Sequence, residues 1–148
     1  MEISGACLCG DISWQATIDP ALVGVCHCTD CQTVGGSAFQ FTTRVAREDF
    51  HLTTGELTAY VKVAENGNPR AMSFCGRCAT MIHTGNTDAT GLLSLRLGGC
   101  KQKHELSVSD LVSVVDGLGR GGRRYQNARP GRRQRPLVRQ LRSLGRQF

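Results

Sequence analysis

The chain has 148 residues, 40% of them hydrophobic, which suits a single globular domain large enough to bury a core. No segment approaches the roughly 20 consecutive apolar residues of a transmembrane helix, and the first residues lack the basic start and apolar run of a signal peptide. The sequence therefore argues against a membrane-spanning helix and predicts a cytoplasmic protein.

The net charge of +6 is unevenly distributed along the chain. Residues 1–116 carry 8 Lys and Arg against 12 Asp and Glu, a net charge of −4, whereas residues 117–148 carry 10 Arg and no acidic residue. The basic character belongs to the C-terminal tail, so the body of the protein lacks the net positive charge typical of a nucleic-acid-binding domain.

Short apolar or alternating runs separated by turn residues dominate the first hundred residues. Gly, Asn and Pro mark turns at 53–56, 65–69 and 84–91. Helix is limited to a turn or two after Cys31 and another at 46–50. This pattern predicts a mainly β domain of small sheets. The predicted strands are 10–18, 37–45, 57–63, 70–74, 80–84 and 92–97.

Seven of the eight cysteines lie in three tight clusters, and Cys100 stands alone. A reducing cytosol disfavours disulfides, so clustered thiols point to metal binding or catalysis. Zinc prefers soft thiolate ligands, and CxC or CxxC spacing lets one backbone turn present two sulfurs. The clusters are "GACLCG" with Cys7 and Cys9, "VCHCTDC" with Cys26, Cys28 and Cys31, and "SFCGRCAT" with Cys75 and Cys78.

The number of thiols in each cluster suggests how the clusters are used. The first and third clusters together supply four ligands, which close the coordination sphere of a structural zinc. The middle cluster supplies three and leaves one position for water or substrate, as in catalytic zinc sites. We therefore predict two zinc ions per chain, a structural one at Cys7, Cys9, Cys75 and Cys78 and a catalytic one at Cys26, Cys28 and Cys31.

The alternative for the middle cluster is a second, purely structural site with a fourth ligand from Cys100, His27 or His83. His27 is disfavoured because it lies between two ligands in an extended segment, where its side chain points away from theirs. His83 and His51 lie in strand-like runs, where ordinary surface or core histidines are common.

Together these motifs resemble the glutathione-dependent formaldehyde-activating enzyme family, which includes centromere protein V. The resemblance rests on "GACLCG", "CHCTDCQ", the stretch containing Phe41, Phe50 and "TTGEL", and "FCGRCAT", and covers roughly residues 3–105. It implies a tent-like arrangement of small antiparallel β-sheets with two zinc sites. It also assigns the structural zinc to Cys7, Cys9, Cys75 and Cys78 and the catalytic zinc to Cys26, Cys28 and Cys31, as the thiol counts do.

The resemblance further implies a carbon–sulfur lyase-type reaction, in which glutathione and formaldehyde give S-(hydroxymethyl)glutathione. A zinc-bound thiol ionises near neutral pH and becomes a nucleophile for the aldehyde. His27 or Asp30 is a candidate for handling the proton, although Asp30 also suits a turn or helix-cap position. The alternative function is a non-catalytic, zinc-scaffolded binding module.

The family resemblance stops near residue 107. We therefore predict a zinc-binding domain over 1–107 and a divergent Arg/Gly-rich tail over 108–148, either disordered or produced by a frameshift. Clustered arginine can contact nucleic acid, but Tyr125 and Phe148 are the only tail aromatics available for stacking. We favour a solvated tail over one that binds nucleic acid.

Overall fold

The structure is a computed structural model that describes residues 1–64, 66–108 and 110–112. Within them the chain forms ten β-strands, one α-helix and 3₁₀ turns at Pro20–Leu22 and Arg47–Asp49. The elements are β1 (Glu2–Ala6), β2 (Ser13–Thr17), β3 (Gly24–Cys26), α1 (Thr29–Gly35), β4 (Gln40–Val45), β5 (Phe50–Thr54), β6 (Leu57–Val63), β7 (Pro69–Cys75), β8 (Met81–Asn86), β9 (Leu93–Arg96) and β10 (Asp110–Val112).

The strands form two sheets. One is antiparallel, with strand order β1-β2-β5, and the other has the order β10-β3-β4-β9-β8-β7-β6. All neighbours in the larger sheet are antiparallel except β10 and β3, which are parallel. The prediction of a mainly β protein built from antiparallel sheets is confirmed.

The core lies between the two sheets. Trp14 on β2 is 1% exposed, and its ring centroid lies 6.1 Å from that of Phe50 on β5. From the larger sheet, β9 and the residue after it contribute Leu93, Leu95 and Leu97 to the same core cluster. Side chains alternate between the two faces of β9, so the leucines face this core while Arg96, also buried, points to the opposite side of the sheet. Burying each of these leucines contributes about 1.5–3 kcal/mol.

A glycine makes the close packing around Trp14 possible. A Cβ atom on Gly5 would overlap Trp14 Cζ2 and lie 2.7 Å from the Gly99 carbonyl oxygen. Gly5 also forms an isolated bridge with Cys100. Only a residue without a side chain lets β1 approach the indole this closely.

Most predicted strands are present with shifted ends, and the 57–63 prediction has the same bounds as β6. Four strands that the sequence did not predict are β1, β3, β5 and β10. Each is short, and β1 contains Gly and Ala rather than a β-branched run, so propensity gave little signal. The predicted helical turn at 46–50 is a 3₁₀ turn, and α1 begins two residues before Cys31.

Strand β10 lies just beyond the predicted domain boundary at residue 107 and pairs with β3. That boundary stays a prediction. The predictions for the tail over 113–148, including disorder, frameshift and nucleic-acid contact, lie outside the described residues. In the part of the chain that the structure describes, no helix has the length and apolar character needed to cross a membrane.

Candidate metal centres

The first cysteine cluster begins with a tight turn after β1. The Gly10 N–H donates to the Cys7 carbonyl oxygen at 3.2 Å, and the Cys7 N–H donates to the Ile12 carbonyl oxygen at 2.9 Å. Gly10 has φ +84°, in the left-handed region that glycine tolerates best. The turn places Cys7 and Cys9 Sγ 3.5 Å apart.

The second half of this cluster is a similar turn between β7 and β8. The Ala79 N–H donates to the Cys75 carbonyl oxygen at 2.8 Å, and Ala79 has φ +59°. Cys78 Sγ lies 3.2 Å from the Thr80 hydroxyl oxygen, which in turn accepts from the Leu8 N–H at 3.1 Å. Thr80 thus connects the two turns.

The geometry of this cluster suits a metal ion. The four sulfurs of Cys7, Cys9, Cys75 and Cys78 all lie within 4.8 Å of one another, and Cys9 and Cys75 Sγ are 3.7 Å apart. Four ligands about 2.3 Å from a tetrahedral zinc are separated by about 3.8 Å, whereas a disulfide needs about 2.05 Å. All four cysteines are free, so this cluster can hold a metal ion.

The protonation of these thiols also favours a cation. The Thr80 hydroxyl and N–H lower the pKa of Cys78 to about 5. For Cys9 the Asp11 backbone lowers the pKa, but burial and the neighbouring thiols outweigh it and raise the pKa to about 12. Adjacent thiolates repel one another, so one thiol ionises at the expense of the next. A bound cation would let all four ionise.

The second cluster lies where β3 gives way to α1. Cys26 ends β3, Cys28 is the N-cap of α1, and Cys31 is buried in its first turn. Cys28 Sγ accepts from the Cys31 N–H at 3.4 Å and lies 3.5 Å from Cys26 Sγ. The three sulfurs lie within 4.8 Å of one another. The local chain therefore assembles this trio, and a sulfur takes the place that a Ser or Asp oxygen usually occupies at a helix N-cap.

In the trio, as in the first cluster, the pKa of one thiol is lowered while that of its neighbour is raised. The hydrogen bond from Cys31 lowers the pKa of Cys26 to about 5, and the positive charge of Arg96 adds to this effect. The same hydrogen bond, together with burial, raises the pKa of Cys31. The donor set fits a soft cation, which would remove this competition between the two thiols.

The proposed alternative ligands do not join the trio. Among the described residues, no His, Asp, Glu or further Cys completes this cluster. His27 lies beside Phe39, with ring centroids 5.7 Å apart. His83 makes an edge-on contact with Phe50 at 5.1 Å, and Cys100 lies buried at the bridge to Gly5. His51 is exposed on β5.

Sequence reasoning considered Asp30 as a helix cap, but the cap of α1 is Cys28. Asp30 instead forms an ion pair with Lys62 on β6, with Oδ1 and Nζ 2.6 Å apart. The reason for the difference is local. The Cys28 sulfur already accepts the Cys31 N–H, which leaves the Asp30 carboxylate free to reach across to Lys62.

Two neighbours of the clusters were missed by sequence reasoning. Thr80 follows directly on "CGRCA", and Arg96 lies between Leu95 and Leu97. A single charged residue inside an apolar strand was a usable signal for Arg96, because it must point away from the leucine face. For Thr80 the sequence offered no comparable signal.

Comparisons with known proteins agree with this fold and with the family resemblance of the sequence. The family model described as "Glutathione-dependent formaldehyde-activating enzyme" matches residues 2–111. No curated protein matches the chain. A crystal structure of a Rhodobacter sphaeroides protein from structural genomics is similar, with a TM-score of 0.51 and 18% identity over 64% of this chain and 84% of that chain. At this identity the likeness shows the fold alone.

Proposed function

Because the chain belongs to the glutathione-dependent formaldehyde-activating enzyme family, we propose that it joins glutathione or a similar small thiol to formaldehyde or another small aldehyde. The product with glutathione is S-(hydroxymethyl)glutathione, and the reverse reaction is that of a carbon–sulfur lyase. The observation that carries the proposal is the trio of Cys26, Cys28 and Cys31, which holds three thiols within 4.8 Å and no fourth ligand from the described residues.

We further propose that both cysteine clusters hold zinc. Cys7, Cys9, Cys75 and Cys78 would close the coordination sphere of one ion and fasten the N-terminal turn to the β7–β8 turn. Cys26, Cys28 and Cys31 would hold the second. An ion held by these three residues would lower the pKa of a substrate thiol, so that the thiol would be available as the thiolate near neutral pH.

The surrounding residues hold the trio in place. Cys28 caps α1, so the helix cannot start without bringing Cys28 and Cys31 together. The ion pair from Asp30 to Lys62 fixes the same helical turn against β6. A preorganised trio orients the reacting thiol without a further rearrangement.

The chemical step is an addition. The thiolate sulfur attacks the aldehyde carbon and forms a C–S bond, the π electrons of the carbonyl group move to oxygen, and that oxygen takes the proton released by the thiol. We propose that His27 moves this proton through solvent, since its ring lies beside Phe39 and is not part of the thiol cluster. Asp30 is less suited because its carboxylate is held by Lys62.

The test is exchange NMR of ¹³C-formaldehyde with glutathione, with and without the zinc-loaded protein. We expect the protein to increase the exchange rate over that of the spontaneous reaction, and Cys28→Ser to return it to the spontaneous rate. Cys100→Ser is the matched control, because Cys100 lies outside both clusters, and it should keep the acceleration. Zinc binding without any acceleration would contradict the enzyme proposal and favour a binding module.

A further inference from the structure

Arg96 on β9 is a buried cation with unused hydrogen-bond donors. The residue is 8% exposed, and its Nη2 donates to the Thr84 hydroxyl oxygen at 3.2 Å. Its buried Nε and Nη1 have no partner among the described residues. Neither of the two ion pairs in that part of the chain includes it. Within the described ranges, two buried nitrogens of the guanidinium therefore lack a hydrogen-bond acceptor, although its charge interacts with the Cys26 thiolate.

Strand register places Arg96 on the same face of the larger sheet as the cysteine trio. Arg96 pairs with Thr42, and Thr42 pairs with Gly24. Cys26 follows Gly24 by two residues, and side chains two apart on a strand share a face. Thr84, which orients Arg96, belongs to this face too, since it pairs with Ser94.

The part of this face around Arg96 is covered, since Thr42 and Thr84 are 3% and 7% exposed, and the helix of the trio lies on the same side of the sheet. Lys62 pairs with Arg70, and Arg70 pairs with Asn86, which lies two residues from Thr84 and therefore shares its side of the sheet. The ion pair with Asp30 at 2.6 Å then holds the first turn of α1 over this side. The cysteine trio and the Arg96 guanidinium thus belong to one covered region, on the opposite side of the sheet from the Leu95 core.

Buried hydrogen-bond donors without acceptors are costly, because their desolvation is not offset by hydrogen bonds. An anion that enters the covered region would supply the missing partner. Among anions, a carboxylate matches the planar donor array of arginine in shape and charge.

We propose that Arg96 is a substrate-binding residue that holds a carboxylate of the thiol substrate, while the thiol occupies the site formed by Cys26, Cys28 and Cys31. The proposal rests on the proposed function for the identity of the thiol. It adds that the protein discriminates between thiols, because thiols that carry a carboxylate bind more tightly than neutral thiols.

Binding can be measured without chemistry by calorimetry of the zinc-loaded protein with S-methylglutathione and with its diethyl ester. Neither compound has a free thiol, and the ester has no carboxylate. We expect the wild-type protein to bind the acid about ten- to hundredfold more tightly than the ester, the range of one charge-assisted hydrogen-bonded contact. Arg96→Met should abolish this difference.

Arg44→Met is the matched control, because Arg44 is an exposed arginine on β4, and it should keep the full preference for the acid. Thr84→Val leaves the charge but removes the acceptor that orients Nη2, so it should reduce the preference several-fold even if Arg96→Met fails to fold.

Equal binding of acid and ester by the wild type, or an undiminished preference in Arg96→Met or Thr84→Val, would overturn the proposal. A preference for the acid that depends on Arg96, in a protein that does not accelerate the formaldehyde reaction, would uphold this inference and contradict the proposed function.

Discussion

The Asp30 carboxylate and the Lys62 ammonium lie 2.6 Å apart, although their residues belong to α1 and to the edge strand β6. The larger sheet separates β6 from β3, the strand that precedes α1, by four intervening strands. The ion pair thus fastens the helical turn that carries Cys31 to a distant part of the same sheet. Its effect on the site should exceed its effect on stability.

Lys62→Met tests this relationship. Both side chains are partly exposed, at 32% and 43%, so breaking the pair should lower the free energy of unfolding by no more than about 1 kcal/mol. The looser α1 should raise KM for the thiol several-fold. Urea unfolding and steady-state kinetics measure the two effects, with Lys103→Met, at an exposed position, as control. A stability loss of several kcal/mol with unchanged KM would contradict this assignment.

The two cysteine clusters should respond differently to loss of one thiol. Cys28→Ser should reduce the zinc content from two ions per chain to one and leave the fold intact, because the trio is local to the β3–α1 junction. Cys75→Ser should lose the other ion and at least about 3 kcal/mol of stability, because that cluster joins distant turns. Elemental analysis and thermal unfolding measure both quantities. If Cys28→Ser unfolds the protein, the trio has a structural role instead.

Gly5→Ala should destabilise the fold by about 1–3 kcal/mol, or more if β1 cannot move. The added Cβ atom would overlap Trp14 Cζ2 and lie 2.7 Å from the Gly99 carbonyl oxygen, which cannot both move aside. Gly98→Ala is the control, since a Cβ atom added there would have no heavy atom within 4 Å. Chemical unfolding followed by Trp14 fluorescence measures both variants, and equal stabilities would show that β1 is not packed this closely.

His83 should make stability depend on pH. Burial, with the charges of Arg47 and Arg96, lowers its pKa from 6.5 to about 4. Between about pH 4 and pH 6.5 His83 therefore binds a proton in the unfolded chain but not in the folded chain. The contribution of neutral, buried His83 to the free energy of unfolding is complete above pH 6.5 and is lost as the pH falls toward 4. The loss is at most about 3 kcal/mol.

The measurement is urea unfolding of the wild type and of His83→Leu at about pH 7 and about pH 4.5, on either side of the ordinary histidine pKa. Comparing the two proteins removes the effect of acid on the metal-binding thiols, which both share. The variant should lose less stability on acidification, whereas His51→Leu, at an exposed position on β5, should behave as the wild type. Parallel losses in wild type and His83→Leu would show that His83 is accessible to protons in the folded state.

Local spacing explains why so much of the candidate site was predictable. CxC and CxxC place two sulfurs on one turn, and the structure brings together the four thiols that the counts had paired and the three that remained. The strand over 57–63 was predictable for a similar reason, since seven consecutive residues of strand-like character needed no partner to be recognised. Strand β3 was not predictable from the sequence, because its three residues become a strand only by pairing with β4.

The sequence alone determined the chemistry available to this protein, namely soft sulfur ligands in sets of four and three and a mainly β scaffold. Those features follow from residue type and short-range spacing. Only the tertiary structure decided that Cys28 caps α1, that Asp30 pairs with Lys62, and that Arg96 lies buried on the face of the trio. The last two depend on sheet order and register between segments far apart in the chain, which local propensity does not specify.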